Sequence, residues 1–365
     1  MNHGSFGACP REVFETYQYW QLELEREPVD FIQRRLRPLL GDAREALGHY
    51  IGAAADDVVY VTNATMGMNI VARSVPLEPG DEVLTTDQEY GAINNIWEFI
   101  CGKRGARYVK QKLPLPCESP EEIVEAVWSG VSARTRVLSI SHITSSTALI
   151  LPVAELVRRA REHGIITVID GAHAAGQVPL DMASLEADFY VGNCHKWMMS
   201  AKGAGFLYAR PPMQEILEPL VVSHAMRRSD APTRFVDEQQ YQGTRDPAAF
   251  LSVPAAIAFA EKHHWDAVRN ACHDLLCNAR RRIAELTGLQ PPTPDTWEWI
   301  GQMGIAPIPT LDWQETHRRI WETYHIEIPI TGYGDQRCLR ISLQGYNSKE
   351  DIDTLIAAIG ELLRA

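Results

Sequence analysis

The sequence predicts an α/β protein with a large domain built on a mostly parallel β-sheet and a smaller α+β domain towards the C-terminus. Short apolar runs alternate with amphipathic stretches through the middle of the chain, which is typical of strands covered by helices on both faces. The last third changes to long helical patterns with few strand-like pieces. The length of 365 residues also exceeds what one hydrophobic core usually organises.

Five apolar runs predict the strands of the large domain. They cover residues 57–61, 81–85, 135–141, 165–170 and 188–191. Between the third and fourth runs, residues 153–162 place Leu156 and Val157 on one face and arginines on the opposite face. This is the pattern of an amphipathic helix, so the strands are expected to alternate with helices in a parallel sheet.

The smaller domain is predicted to contain both helices and strands. The predicted elements are helices at 248–264, 268–286 and 349–363, and strand-like pieces around Ile305 and at 339–343. Ser348 can cap the last helix, and acidic residues favour its first turn. We therefore predict a large domain over residues 16–247 and a small domain formed by residues 1–15 and 248–365.

Composition argues against several classes of function. Acidic residues number 47 against 35 basic ones, a net charge of −12, and no basic stripe offers a site for a nucleic-acid backbone. The seven cysteines are scattered without a Cys-x-x-Cys pair, so neither a disulfide framework nor a metal site is expected. The opening residues lack the features of a signal peptide, and no apolar run is long enough to cross a bilayer. We expect a cytoplasmic protein without a membrane partner.

Two polar segments follow predicted strands and are candidates for ligand binding. Residues 61–67 (VTNATMG) place small and hydroxyl side chains before a helical pattern. Backbone N–H groups there favour an anion, although a plain helix cap explains the pattern equally well. The run 165–170 ends in Asp170, at the carboxyl edge of the predicted sheet. This carboxylate could hold a protonated heterocyclic nitrogen, bind Mg²⁺ or be an ordinary strand-end residue.

Two basic residues are candidates for chemistry. Lys196 follows the last predicted strand and is flanked by the bulky Trp197 and Met198. Desolvation by such neighbours lowers the pKa of a lysine and frees its neutral amine as a nucleophile, although most lysines are solvated surface charges. Arg340 lies within an apolar run and needs a partner, either a substrate carboxylate or an internal salt bridge.

Four segments, taken in chain order, resemble aminotransferase class V, a family of fold-type I pyridoxal-phosphate (PLP) enzymes. They are Thr-Asn-Ala-Thr at 62–65, Asp-Gly-Ala-His at 170–173, Cys-His-Lys-Trp at 194–197 and Leu-Arg-Ile-Ser at 339–342. The similarity extends over nearly the whole chain. The segments at 2–7 (NHGSFG) and 242–247 (QGTRDP) look most like the isopenicillin N epimerase branch, which also includes sulfoxide lyases.

The resemblance implies PLP as the cofactor. Lys196 would hold it as a Schiff base, Asp170 would bind its pyridine nitrogen and Tyr90 would stack on its ring, so these three are the implied catalytic residues. The other implied cofactor-binding residues are His173 near the ring hydroxyl, the phosphate ligands Ala64, Thr65, Asn193 and His195, and Gly243 and Thr244 of a neighbouring subunit. The active unit would then be a homodimer with a shared active site.

The resemblance also implies a substrate site for an amino acid. Arg340 would bind the substrate carboxylate, and His3 and Ser145 are the other implied substrate-binding residues. Ser145 stands where the family commonly has an asparagine, and His173 stands where it usually has a glutamine. Both departures concern the tuning of the cofactor.

A third departure concerns cysteine. The desulfurase branch carries a catalytic cysteine before the arginine strand, whereas residues 328–335 contain none. Cys338 is expected to belong to that strand, while Cys194 lies beside the lysine. A persulfide mechanism is therefore disfavoured.

These features predict that Lys196 abstracts the α-proton of an amino acid. Return of the proton on the opposite face, with His3, Tyr90 or His224 as second acid, gives an epimerase or racemase. Loss of a β-substituent gives a C–S or C–Se lyase instead. Transamination and a non-catalytic PLP-fold binding protein are further alternatives, and no Gly-x-Gly-x-x-Gly opens a helix to support an NAD enzyme.

The sequence does not name the amino acid. Specificity is expected in residues 94–97 and 222–235 and in the N-terminal segment. Four residues of the second stretch are expected either to contact an acidic side chain or to belong to a solvated loop: His224, Met226, Arg227 and Arg228.

Overall fold

The computed structural model describes residues 1–226, 234–309 and 312–364. Its large sheet consists of β1 (Val58–Val61), β2 (Glu82–Thr86), β3 (Arg107–Gln111), β4 (Thr135–Ser141), β5 (Ile166–Gly171), β6 (Phe189–Asn193) and β7 (Gly205–Ala209). The strand order is β1-β7-β6-β5-β4-β2-β3. Strand β7 is antiparallel to both of its neighbours, and all other adjacent strands are parallel. The predicted mostly parallel sheet is confirmed.

The described part of the chain contains fifteen α-helices, some of which cover the large sheet while others lie in the C-terminal part. They are α1 (His3–Phe6), α2 (Arg11–Arg26), α3 (Pro28–Asp30), α4 (Leu36–Ile51), α5 (Ala64–Ser74), α6 (Gly91–Arg104), α7 (Pro120–Trp128), α8 (Val153–Glu162), α9 (Met182–Leu185), α10 (Arg234–Gln240), α11 (Ala248–Leu251), α12 (Val253–Lys262), α13 (Trp265–Thr287), α14 (Trp313–Tyr324) and α15 (Lys349–Leu362). Among these described helices, none combines the length and the apolar character needed to span a bilayer.

Two hydrophobic clusters pack on opposite faces of the large sheet. Val58 and Tyr60 of β1 belong to one cluster, while Val59 and Val61 belong to the other. This alternation follows from the two-residue period of a strand. Helices α5 and α6 cover one face, and α4, α7 and α8 cover the other. Because both faces are covered, the five predicted strands are largely apolar and lack a regular polar side, which is why the sequence indicated them.

A second, smaller sheet lies in the C-terminal part. It contains β8 (Met303–Ile308), β9 (Ile330–Tyr333) and β10 (Gln336–Ser342), all antiparallel, in the order β8-β10-β9. Helix α13 packs on β8, and α15 packs on α13. This agrees with the predicted α+β character, while the domain boundary at residue 247 stays a prediction.

The structure corrects several element boundaries. The helical run predicted at 248–264 is two helices, α11 and α12, because Pro254 lies in the first turn of α12, where a missing N–H is tolerated. Strands β3, β7 and β9 were not predicted. Ser348 caps α15 as expected and forms a capping box with Asp351.

The topology brings six strand ends to one edge of the large sheet. All strands from β1 to β6 run in the same direction, because β7 alone is antiparallel between β1 and β6. Their carboxyl ends therefore lie along one edge, where ligands of such sheets collect.

Candidate active site

A cleft of about 220 Å³ opens at this edge. Its lining comes from the strand ends and the N-terminal segment and consists of Ser5, Phe6, Asn63, Ala64, Thr65, Tyr90, Ile93, Ser141, Ile143, Ser145, Asp170, Ala172, His173, Asn193, His195 and Lys196. The structure thus brings together most of the residues that the sequence singled out. Tyr90 immediately precedes α6 and is 48% exposed, so its ring is accessible from the cleft.

Lys196 lies just beyond the end of β6. Its Nζ lies 3.1 Å from Nε2 of His173, whose Nδ1 accepts a hydrogen bond from the indole N–H of Trp197 at 3.3 Å. Burial lowers the pKa of Lys196 from 10.5 to about 8; the carboxylate of Asp170 opposes this shift, and the charge of Arg340 adds to it. A substantial fraction of this amine is therefore neutral near physiological pH, as required of a nucleophile or base.

Asp170 lies near the end of β5 and is buried. One of its carboxylate oxygens accepts a hydrogen bond from the N–H of Ala172 at 2.9 Å. Burial raises the pKa of Asp170, while that hydrogen bond and the charge of Lys196 act in the opposite direction. A carboxyl group in this setting suits a protonated nitrogen as partner, because the cation would supply the counter-charge that burial requires.

The N-terminus of α5 closes another side of the cleft. The side-chain oxygen of Asn63 accepts from the N–H of Met66, and that of Asn193 accepts from the N–H of Ala64, both at 2.9 Å. For the amide of Thr65, we find no protein acceptor among the described residues. This amide, the hydroxyl of Thr65 and the helix dipole suit an anion such as a phosphate.

Two histidines contact the backbone around Lys196. Nδ1 of His195 donates to the carbonyl of Ala204 at 2.8 Å, and the side chain lines the cleft. His3 is buried and does not line the cleft: its Nε2 donates to the carbonyl of Lys196 at 3.1 Å, and its Nδ1 lies 3.0 Å from the hydroxyl of Tyr346. Burial lowers the pKa of His3 to about 4. The position of His3 suits support of the lysine backbone better than contact with a substrate.

Arg340 reaches the same region from β10. Its Nη1 donates to the backbone oxygen of Ser145 at 2.7 Å and to the Ser145 hydroxyl at 3.3 Å. Burial lowers the pKa of Arg340 to about 10, an effect that the nearby Tyr90 opposes.

Other predicted residues lie elsewhere. Gly243 and Thr244 line a separate depression together with residues of α4 and do not line the cleft of their own chain. This placement leaves open the predicted contact with a neighbouring subunit. His224 and Met226 do not line the cleft either, and Arg227 and Arg228 lie outside the described residues.

Sequence reasoning missed Glu89, which is buried beneath the cleft. Its carboxylate accepts hydrogen bonds from the hydroxyl of Ser141 at 2.6 Å, from the N–H of Ser141 at 3.2 Å and from the hydroxyl of Thr86 at 2.8 Å. Burial raises the pKa of Glu89 to about 7. An acid directly before Tyr90, at the end of a strand, was the signal that could have identified it.

Ser5 and Phe6 were also missed as cleft-lining residues. Phe6 is 76% exposed, and Ser5 contacts Arg340. The available signal was the glycine on either side of this pair, which permits close approach of the backbone to other elements.

None of the seven cysteines lines the cleft, and all seven lie within the described residues. Cys194 and Cys338 are buried. Burial raises the pKa of Cys338 to about 12 and that of Cys194 further, so neither thiol has the thiolate character of a nucleophile.

Comparison with known proteins places the chain in a family. The model of aminotransferase class V matches residues 16–355. The protein belongs to aminotransferase class V. Isopenicillin N epimerases from Amycolatopsis lactamdurans and Streptomyces clavuligerus are each 36% identical to it over 99% of this chain and 94% of their own. An L-cysteine desulfhydrase from Arabidopsis thaliana is 29% identical over all of this chain and 87% of its own.

Solved structures confirm the fold of this class V enzyme. A cysteine desulfurase from Escherichia coli superposes with a TM-score of 0.83 at 22% identity, covering 100% of this chain and 94% of the other. A structure of C-DES, with glycine covalently linked to its PLP cofactor, gives 0.83 at 21% identity, covering 99% and 95%. The expected class V enzyme of fold type I, with PLP as the family's cofactor, is confirmed.

The residues of the cleft fit that cofactor. PLP carries an aldehyde, a pyridine nitrogen and a phosphate. The cleft offers a lysine with a lowered pKa, a buried carboxyl group and a helix N-terminus whose Thr65 amide has no acceptor in the described part of the chain. Lys196, Asp170 and the Ala64–Thr65 turn are thus suited to hold these three groups.

Proposed function

We propose that this class V enzyme, as an epimerase or racemase, removes the α-proton of an amino acid with Lys196 as base and adds a proton from a second acid on the opposite face. The supporting observation is the amine of Lys196: it lies in the cleft on a partly buried residue, and its pKa is lowered to about 8. The similarity to isopenicillin N epimerases, at 36% identity, supports epimerisation of this kind.

Five residues in and beside the cleft have a defined task in this proposal. Arg340 binds the substrate carboxylate, and Asp170 keeps the pyridine nitrogen protonated. When bound, the cofactor supplies an electron sink for the charge left at the α-carbon. Lys196 takes the α-proton, and Thr65 and Ala64 anchor the phosphate end.

Tyr90 is the group proposed to protonate the α-carbon on the face opposite to the one from which Lys196 removes the proton. It is exposed towards the cleft that contains Lys196. His3 is less suited, because its ring nitrogens contact the carbonyl of Lys196 and the hydroxyl of Tyr346. His224 does not line the cleft.

A C–S β-lyase is the alternative. Its support is a cleft without a cysteine, so sulfur would leave the substrate directly, together with the similarity to an L-cysteine desulfhydrase. A non-catalytic binding protein is disfavoured because Lys196, Asp170 and Arg340 are all present. A cytoplasmic homodimer, with Gly243 and Thr244 reaching the neighbouring cleft, completes the proposal.

Proton NMR in deuterated water tests these alternatives. The PLP-loaded protein is incubated with cysteine, cysteine sulfinate, S-substituted cysteine sulfoxides and δ-aminoadipyl peptides. Loss of the α-proton signal from an otherwise intact amino acid, with inversion seen by chiral chromatography, supports the epimerase. Pyruvate formation supports the lyase instead. Retention of full activity in Lys196→Ala would contradict both.

A further inference from the structure

Arg340 is a buried cation without a carboxylate partner in the described part of the chain. Its Nη2 donates to the hydroxyl of Ser5 at 2.9 Å and lies 3.4 Å from Oδ1 of Asn2, while its Nη1 donates to Ser145. Its Nε is buried without any acceptor in the described residues. All of these acceptors are neutral, although a buried guanidinium is stabilised best by an anion. The site therefore lacks one negative charge.

The N-terminal segment holds Ser5 firmly against this charge. Asn2 runs alongside Ser342 as a parallel bridge next to the small sheet, and α1 follows at once. A Cβ on Gly4 would lie 2.8 Å from the sulfur of Met303, and one on Gly7, whose φ is +72°, would lie 2.1 Å from the carbonyl of His195. At Gly7 only glycine permits the approach, since the neighbour is backbone and φ is positive, whereas at Gly4 the side chain of Met303 would have to shift. Both close approaches position Ser5 in the cleft.

The hydroxyl of Ser5 can form hydrogen bonds both in the site without substrate and in the site with a bound carboxylate. It accepts from Arg340 and donates to Oδ1 of Asn2 at 2.6 Å. When a carboxylate binds the guanidinium, the same hydroxyl can rotate and donate to that carboxylate. It then adds a charge-assisted hydrogen bond next to the ion pair.

We infer that Ser5 is a specificity-determining residue that binds the substrate carboxylate together with Arg340. The inference rests on the proposed function, since it specifies how the amino acid is recognised. It makes the N-terminal segment part of the substrate site and requires a free carboxylate on the substrate. An amide or ester at the same position would leave the charge of Arg340 uncompensated.

Calorimetric titration of the PLP-loaded protein with glycine and with glycinamide tests this inference. Glycine should bind the wild type about tenfold or more tightly than glycinamide, because only glycine carries the carboxylate. In Ser5→Ala the preference for glycine over glycinamide should fall about fivefold. Glycine should bind more weakly, and glycinamide binding should stay unchanged. Ser5→Thr should restore the preference.

Ser342→Ala is the matched control. Ser342 lies two residues from Arg340 on β10, and its hydroxyl has no partner among the described residues. This variant should keep the wild-type preference. An unchanged preference in Ser5→Ala, or equal losses for both ligands, would overturn the inference.

Hydrogen exchange of the wild type covers the case in which Ser5→Ala does not fold. Glycine should increase the protection of the amides of residues 2–7, and glycinamide should not. Equal protection by both ligands would also overturn the inference. Failure of the proposed function is distinguishable, since it would appear as missing α-proton exchange in a wild type that still prefers glycine.

Discussion

The amine of Lys196 and the imidazole of His173 share a hydrogen bond whose direction is fixed by Trp197. The indole of Trp197 can only donate, so Nδ1 of His173 accepts and the neutral ring carries its proton on Nε2. Burial holds the pKa of His173 well below its ordinary range, which keeps the ring neutral. When the amine of Lys196 is neutral, Nε2–H of His173 therefore donates to its Nζ, which lies 3.1 Å away.

Replacement of His173 by phenylalanine should raise the pKa of Lys196. The neutral amine loses its donor, and a hydrogen bond of about 1 kcal/mol corresponds to a shift of roughly 0.7 pH unit. The rate at which an amine-reactive reagent modifies Lys196 in the cofactor-free protein, followed by mass spectrometry over a pH series, gives the midpoint. His173→Gln retains an N–H donor and serves as the control, with a midpoint near that of the wild type. A midpoint that moves equally in both variants would rule out this hydrogen bond as the cause.

The sequence predicted five of the seven strands of the large sheet and missed the inner strand β7 and the edge strand β3. Strands β1, β4 and β5 are almost entirely buried on both faces, so each contains several apolar residues that are visible in the sequence. Strand β3 reads RYVKQ and lies at the edge of the sheet, where exposed positions carry charge. Nothing in such a local pattern separates an edge strand from a loop.

The cleft could be predicted only in part, for a physical reason. Lys196 and Asp170 follow strands, and their place at the sheet edge is dictated by local pattern and topology. The contacts of Arg340 with Ser145 and Ser5 join residues 195 and 335 positions apart. These contacts depend on tertiary packing, and no periodicity in the sequence encodes them.

The absence of a thiol from the cleft predicts that sulfur chemistry, if present, does not use an enzyme cysteine. Cys194→Ala and Cys338→Ala should each retain turnover with cysteine as substrate, within about twofold of the wild type per folded protein, since both side chains are buried away from the cleft. Sulfide release measures turnover, and Lys196→Ala is the inactive control. A persulfide on either cysteine, detected by mass spectrometry, would refute this prediction.

Glu89 predicts a specific dependence of stability on pH. Its pKa is raised by burial from 4.5 to about 7, so the folded state binds this proton more tightly than the unfolded state. The buried carboxylate therefore lowers the free energy of unfolding progressively as pH rises from about 4.5 to about 7. Above about pH 7 this loss of stability is complete and stays constant. Glu89→Gln should be more stable than the wild type above pH 7, by up to about 3 kcal/mol, and equal to it at about pH 4.5.

Denaturant unfolding of both proteins across this pH range provides the measurement. Glu45 is exposed on α4, and Glu45→Gln serves as a control for the loss of one negative charge at the surface. A stability difference for Glu89→Gln that stays constant from acid to neutral pH would show that the carboxyl group does not titrate in this range.

Tyr90 provides the sharpest test of epimerisation. If the hydroxyl of Tyr90 protonates the α-carbon on the face opposite to Lys196, Tyr90→Phe should slow inversion by about 10²-fold or more. Exchange of the α-proton through Lys196 should continue with retention of configuration. Deuterium incorporation measured by NMR and configuration measured by chiral chromatography separate the two rates. Tyr346→Phe is the matched control, because Tyr346 contacts His3 and does not line the cleft. Equal loss of exchange and inversion in Tyr90→Phe would instead limit Tyr90 to holding the cofactor ring, and the second acid would have to be another group.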